Sequence, residues 1–305
     1  LIFNFKKQNM KLNNNNKYIS AAIALFLVTT VVSCKKDGNP NNLPSVSPAT
    51  YAGTIDGYNS SDEIYPNNLI AYWSFDDTKN ELKSRTAPGS SLNDSYVTGG
   101  VKGKALNLSA GFVYYPTQFQ RFRSDSLKSF TISTWVKILN NGSRRTMLFQ
   151  LARPGLFTGN INFALNTQSF PATTTNTLRI QPTFSTVGGG TQDNLNSTLS
   201  PTIGLDKWTH LLLTYETNTG VFDIWADGIK VGAFPNRGVG NNSFRSYEPS
   251  EIIFGSNYNG IPGKVVSTDV TFAPMTGQID EVRIYNRALP NAQIISLFNL
   301  GKANK

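Results

Sequence analysis

The sequence holds one cysteine, one histidine and three methionines in 305 residues, and only 15% of it is charged. A single thiol, Cys34, excludes any internal disulfide, so the fold must rest on an ordinary apolar core. One imidazole, His210, excludes a histidine-based zinc cluster, and any Ser–His arrangement would have to be built around it. Its setting, Trp208-Thr209-His210-Leu211-Leu212-Leu213, is a strand pattern that predicts a hydrogen-bonded structural imidazole. Sustained Ala/Glu/Lys/Leu periodicity is missing, which excludes long helical arrays. Clustered basic residues are missing as well. The net charge is +9, but Lys6, Lys7, Lys11 and Lys17 all precede residue 34 with no acid among them. Elsewhere there are only short groups such as Arg121/Arg123 and Arg144/Arg145, so nucleic acid is excluded as a partner. Gly188-Gly189-Gly190 lacks the following Lys-Ser/Thr of a phosphate cradle.

What is present is enough to fold: 39% of the chain is hydrophobic and 11% aromatic. Lys11 and Lys17 followed by the apolar stretch 19–32 read as a secretory leader, with translation starting at Met10. The stretch is shorter than the ~20 apolar residues of a spanning helix. Val31-Val32-Ser33-Cys34 resembles the bacterial lipobox, which implies acylation of Cys34 and anchoring through roughly 0.8 kcal/mol per buried CH₂. Lys35 in place of Asp implies sorting away from the inner membrane. The start Cys34-Lys35-Lys36-Asp37 resembles lipoproteins of the Bacteroidota, which implies an outer-membrane lipoprotein on the surface or the periplasmic face. Residues 34–68 are rich in Asn, Pro, Ser and Gly and read as a tether able to reach ~100 Å when extended. Tyr51, Ile55, Tyr58, Ile64 and Tyr65 are its candidates for docking on the domain at 69–305.

From residue 69 onward, short alternating or apolar runs are bounded by turn formers, at 69–75, 105–108, 130–138, 161–165, 208–215, 221–226, 229–234, 251–254 and 277–285. This spacing predicts an all-β, antiparallel two-sheet sandwich or jelly roll. Asp227-Gly228 has the chemistry of a two-residue type I′ turn. The hairpin register then pairs Ala226 with Ile229, Trp225 with Lys230 and Ile224 with Val231, placing Ile224, Ala226, Ile229 and Val231 on the core face and Trp225 on the other. One short C-terminal helix is expected at 291–300, with Ile294, Ile295 and Phe298 on one side, Pro290 near its start and Gly301 after it. The stretch 185–201 reads as a long exposed loop.

Several pieces stand in fixed order: Leu69-Ile70-Ala71-Tyr72-Trp73-Ser74-Phe75-Asp76, Gly103-Lys104-Ala105-Leu106, the stretch 130–137, Lys207-Trp208-Thr209-His210, Ile224-Trp225-Ala226-Asp227-Gly228, and Gly277-Gln278-Ile279-Asp280-Glu281-Val282-Arg283-Ile284-Tyr285-Asn286-Arg287-Ala288-Leu289. Together they resemble the laminin-G-like branch of the concanavalin A-like lectin/glucanase superfamily. The resemblance implies a concanavalin A-like jelly roll in which the first and last strands are neighbours. The glucanase branch carries Glu-x-Asp-x-x-Glu on one strand, and no such string occurs here. Some members bind calcium. Pairing of the first and last strands would bring Asp76 or Asp77 near Asp280, as candidate ligands of a structural Ca²⁺, although the loop 81–90 is basic where acids would help.

Sugars offer flat apolar faces and polar rims, so aromatic residues beside polar ones are candidate binders. Trp225, Tyr247, Tyr258 and Arg245 meet that description, and so do Tyr114 and Tyr115. Trp73, Trp135 and Trp208 fall in the strand patterns and are expected in the core. The expectation is a lipid-anchored, non-catalytic protein that captures a polysaccharide or other glycan at loops or at the face bearing Trp225. The alternatives are a protein-binding adhesion or envelope-assembly module, with partner envelope proteins, and a glycoside hydrolase.

Overall fold

Strand backbone turns successive side chains to opposite faces, so each strand of this chain sends alternate residues toward the core. The computed structural model describes residues 53–138, 144–166, 177–193, 201–204 and 206–305. The leader and Cys34 lie outside them. The strands are β1 (Leu69–Trp73), β2 (Ser90–Thr98), β3 (Lys104–Tyr115), β4 (Phe130–Ile138), β5 (Arg145–Ala152), β6 (Ile161–Asn166) and β7 (Arg179–Ser185). They continue as β8 (Thr191–Asp193), β9 (Thr209–Glu216), β10 (Val221–Ala226), β11 (Ile229–Phe234), β12 (Glu251–Phe254), β13 (Phe272–Ala273) and β14 (Met275–Tyr285). Helix α1 is Asn291–Lys302.

The sheet runs β11-β10-β9-β4-β14-β3-β12-β5-β6-β7-β8, with β1 on β14, β2 on β3 and β13 on β5. Every pairing is antiparallel except the two-residue β13 with β5. The first and last strands do lie side by side, Trp73 opposite Val282. Phe184 of β7 and Phe222 of β10 stand far apart in that order, yet their rings meet at 5.7 Å. The sheet therefore curls back on itself into two layers. Between them lies the main core, with Trp73, Phe130, Phe149, Phe163, Phe184 and Phe254 among its buried side chains. Each such side chain contributes roughly 1.5–3 kcal/mol when removed from water.

Asp227 and Gly228 both take positive φ, 49° and 75°, as a type I′ turn requires. Ala226 faces Ile229 and Trp225 faces Lys230, but a bulge then sets Ile224 opposite Gly232. The expected pairing of Ile224 with Val231 is thus displaced, and Ile229 is 65% exposed and not on the core face. In α1 the buried residues are Ile294, Ser296, Leu297 and Leu300, while Ile295 points outward at 41% exposure. Gly301 is inside the helix, which ends two residues later than expected.

The helix lies across the outer face of the β10-β9-β4-β14 layer and seals a second apolar cluster made of Leu212, Trp225, Tyr285, Leu289, Ile294, Leu297 and Leu300 with Ile64 and Leu69. Ile55, Tyr58 and Tyr65 pack against the same cluster. Residues 53–68, placed in the tether on composition, therefore belong to the folded unit, which runs from Gly53 to Lys305. Their apolar residues are too few to build a core but enough to complete one. Asp62 adds an ion pair to buried Arg283 at 2.7 Å, and Arg283 also binds buried Glu281, whose second oxygen accepts the Tyr72 hydroxyl at 2.7 Å. Among the described residues no helix is long and apolar enough to cross a membrane.

Candidate functional site

Strands β5, β6 and β7 turn Leu151, Ile161, Phe163, Leu165, Ile180 and Phe184 into the core. The residues between them face outward, and there the alternation carries amides and hydroxyls. Gln150 Nε2 donates to Asn162 Oδ1 at 2.7 Å, and Asn162 Nδ2 donates to Thr183 Oγ1 at 2.8 Å. This ladder crosses three strands, and every polar atom of Asn162 is occupied, because Gly159 N and Gly159 O take its remaining donor and acceptor sites. Such a strip is rigid, since rotating one amide would break bonds on both neighbouring strands.

Above the ladder lies a cleft of about 320 Å³. Its floor includes Asn162, Gln181 and Thr183, and its rim includes Phe157, Phe272, Arg145 and Asp269. The two phenyl rings meet edge to face at 5.8 Å, and the Arg145 guanidinium stands 4.5 Å from the Phe272 ring. Thr271 donates its hydroxyl and amide hydrogens to Asp269 Oδ1, which with the Arg145 charge holds that carboxyl below the usual carboxylate range. Asp269 Oδ2, the Gln181 amide hydrogens and the Thr183 hydroxyl hydrogen are taken by no described residue. The cleft therefore offers donors, an acceptor and apolar edges together.

The residues expected to bind ligand lie elsewhere. Trp225 does point away from Ile224, but that face is covered by α1 and the indole is 4% exposed. Tyr258 is also 4% exposed, packed with Phe112, Tyr114, Ile253 and Ile261 where the turn 257–261 closes over the outer face. It touches the site only through its amide, which donates to Gln150 Oε1 at 2.8 Å. Tyr115 is buried in the main core and Tyr114 hydrogen-bonds Glu251 at 2.6 Å. Tyr247 is half-buried: its hydroxyl donates to Thr186 O at 2.8 Å, and Arg153 and Arg245 approach its ring at 4.3 and 4.9 Å. Neither Tyr247 nor exposed Arg245 lines the cleft. Trp208, expected in the core, is half-exposed.

The three candidate calcium ligands are engaged with the turn 99–104. Asp280, fully buried, accepts the amides of Val101 at 2.6 Å and Lys102 at 3.2 Å. Asp76 accepts Lys104 N at 2.6 Å, and exposed Asp77 pairs with Lys104 Nζ at 2.7 Å. Gly103 permits this turn: its φ is 67°, and a Cβ there would sit 2.2 Å from Asp76 Oδ1. Burial and the Glu281 charge push Asp280 up to about 8, against the pull of its amide donors. Both Asp280 oxygens are engaged by backbone amides, Oδ2 by Val101 and Lys102 and Oδ1 by Glu281. Among the described residues no three Asp, Glu, His or Cys side chains come together to hold a metal.

His210 and Ser133 form a pair, Nε2 to Oγ 2.8 Å apart, but both are buried, and the Trp135 and Phe298 rings flank the imidazole at 4.9 and 6.1 Å. Burial lowers its pKa to about 3, so the ring is neutral and structural.

The Laminin_G_3 family model, described as the concanavalin A-like lectin/glucanases superfamily, matches residues 114–295. The chain belongs to this superfamily. No curated protein matches it in sequence. Among solved structures similar to this laminin-G-like chain is domain 4 of AbnA, a GH43 extracellular arabinanase from Geobacillus stearothermophilus, in complex with arabinotriose. It aligns with a TM-score of 0.52 at 20% identity over 75% of this chain and 98% of that one. The binding domain of Paraclostridial Mosquitocidal Protein 1 aligns with a TM-score of 0.52 at 16% identity over 76% of this chain. That of botulinum neurotoxin serotype G gives 0.50 at 15% over 76%. The laminin-G-like chain spans 52% and 51% of these two toxin domains. At such identities the likeness is one of fold.

Proposed function

We propose that this is a lipid-anchored, non-catalytic carbohydrate-binding protein of a bacterial outer membrane, which captures a glycan in the cleft over β5, β6 and β7. The observation that carries the reading is the pairing of a fixed amide and hydroxyl floor with an aromatic rim. Sugar hydroxyls both donate and accept, and their C–H faces pack on rings, so they use both halves of such a site. The solved complex of the arabinanase domain with arabinotriose supports the ligand class. Asp269 is the one carboxylate among the described residues that line the cleft, whereas glycoside hydrolysis uses two, roughly 5–5.5 or 6.5–9.5 Å apart. That favours grip without cleavage.

Affinity electrophoresis and calorimetry against a panel of polysaccharides test the reading. Gln181→Ala, which removes one to two hydrogen bonds at roughly 0.5–1.5 kcal/mol each, should weaken the best ligand about three- to tenfold. Unretarded migration on every glycan would count against the glycan, and release of reducing ends would count against the non-catalytic part. The anchor is tested at Cys34. Labelled palmitate should enter the wild-type protein and be absent from Cys34→Ala, which should leave the membrane fraction; equal membrane recovery of the two would remove the anchor.

A protein partner is the second reading. It is favoured by Val270 and Leu156, exposed by 66% and 43% and adjacent in the chain to Asp269 and Phe157 of the rim, and by Val265, exposed by 70% on the segment leading to Asp269. Retention of an envelope protein by the wild type but not by a Val265→Ser, Val270→Ser variant would support it.

A further inference from the structure

A second groove, of about 310 Å³, lies on the opposite layer, between the C-terminal end of α1 and the start of β9. Its walls are aromatic. Trp208 is half-exposed and its orientation is fixed by a hydrogen bond from Nε1 to Gly99 O at 3.0 Å. Phe298, also half-exposed, stacks on Trp135 with centroids 5.8 Å apart and planes 15° apart. Ammonium groups surround these rings. Lys137 Nζ is 5.0 Å from the Trp208 ring and Lys302 Nζ is 5.4 Å from that of Phe298, and neither pairs with an acid among the described residues. Lys207 binds Asp227 Oδ2 at 3.1 Å, so the described lining of the groove holds one carboxylate and two ammonium groups, Lys207 and Lys302, with Lys137 over the Trp208 ring beside it.

This combination selects among anions. A phosphate or sulfate fully ionised has no hydrogen to donate to Asp227 or to the carbonyls of the 99–101 turn, and it has no apolar face for the rings. A uronic acid has all three features: hydroxyls for the acceptors, C–H faces for Trp208 and Phe298, and a carboxylate for Lys302, with the Lys137 charge beside Trp208 adding to the attraction. We infer that the groove between α1 and β9 binds a uronic acid residue of an acidic polysaccharide. The ligand class rests on the carbohydrate-binding reading above, but the groove shares no lining residue with the cleft. Two sites on opposite layers let one molecule bridge two chains or hold one chain twice, which raises avidity without tighter single contacts.

The test is calorimetry and tryptophan fluorescence with short oligouronates (galacturonate, glucuronate and mannuronate), with their methyl esters as uncharged counterparts. At least one oligouronate should bind, and its ester should bind about tenfold or more weakly. The double variant Lys137→Gln, Lys302→Gln alters exposed or half-exposed stems and should lose a similar factor while keeping the wild-type circular dichroism spectrum. Trp208→Ala should abolish the fluorescence change. Gln181→Ala should leave oligouronate binding unchanged even where it weakens the cleft's ligand, so the two sites fail separately. No binding by any oligouronate, or binding indifferent to the ester, to the lysine variants and to Trp208→Ala, overturns the inference.

Discussion

Replacing Arg283 by methionine should destabilise the fold by about 3–5 kcal/mol, the usual loss when one partner of a buried ion pair is removed. Arg283 is 2% exposed and Glu281 4%. Burial works against the charge on Arg283, and the Glu281 carboxylate more than offsets it, so the guanidinium is held above its ordinary pKa. Without it, Glu281 keeps only the Tyr72 hydroxyl and is left as an unpaired charge under the 53–68 segment. The other arm of the pair weighs less, because the Asp62 side chain is 55% exposed. Asp62→Asn should cost under about 1 kcal/mol. Adding Glu281→Leu to Arg283→Met should recover much of the loss, since an apolar pair of similar volume needs no desolvation. Urea denaturation of the four proteins settles the matter, and an Arg283→Met variant within about 1 kcal/mol of wild type would mean that the Glu281 charge is not confined as described.

Truncating Trp225 to alanine should cost a similar amount, about 3–5 kcal/mol, by opening a cavity between β10 and α1. The indole is almost wholly enclosed, in contact with the cluster that includes Leu212, Ile294 and Leu297. Its Nε1 has no hydrogen-bond partner among the described residues, so Trp225→Phe should cost much less, since it removes that group along with part of the ring. Glycan affinity should be the same in all three proteins at temperatures where they are folded. A Trp225→Ala variant with normal melting temperature and lost binding would return this residue to the ligand surface.

These two residues mark where the sequence could be read and where it could not. The hairpin pattern around Asp227-Gly228 correctly sends Trp225 to the face opposite Ile224, because strand alternation is local. What covers that face is not local: α1 arrives some seventy positions later in the chain, and the 53–68 segment comes from the other end. The colinear pieces from Tyr72 to Tyr285 likewise reveal the sandwich, since each is a strand with its own turn. The cleft was harder to see. It is carried by β5 and β7, whose sequences read poorly as half-exposed strands: residues 147–152 are apolar except for Gln150, and β7 includes Pro182. β6 did show a signal, since Asn162 and Asn166 interrupt Ile161, Phe163 and Leu165 at the strand period. An amide repeated on the outward face of a strand is a stronger pointer to a polar site than an isolated aromatic, because it needs partners on both neighbours. The acids Asp76 and Asp280 were placed in the right neighbourhood, but their amide donors come from glycine turns that composition does not locate.

The meeting of Ser61 with Lys305 has a further consequence. Both the amide and the hydroxyl of Ser61 donate to the Lys305 carbonyl, and Lys305 Nζ donates to Gly53 O. Gly53 and Lys305 are thus neighbours, so a short splice from Lys305 to Gly53 would close the stretch between them into a ring that could be reopened at the Asp227-Gly228 tip. The same geometry makes the unit a portable cassette, suited to insertion within a surface loop of a host protein without prying that loop apart.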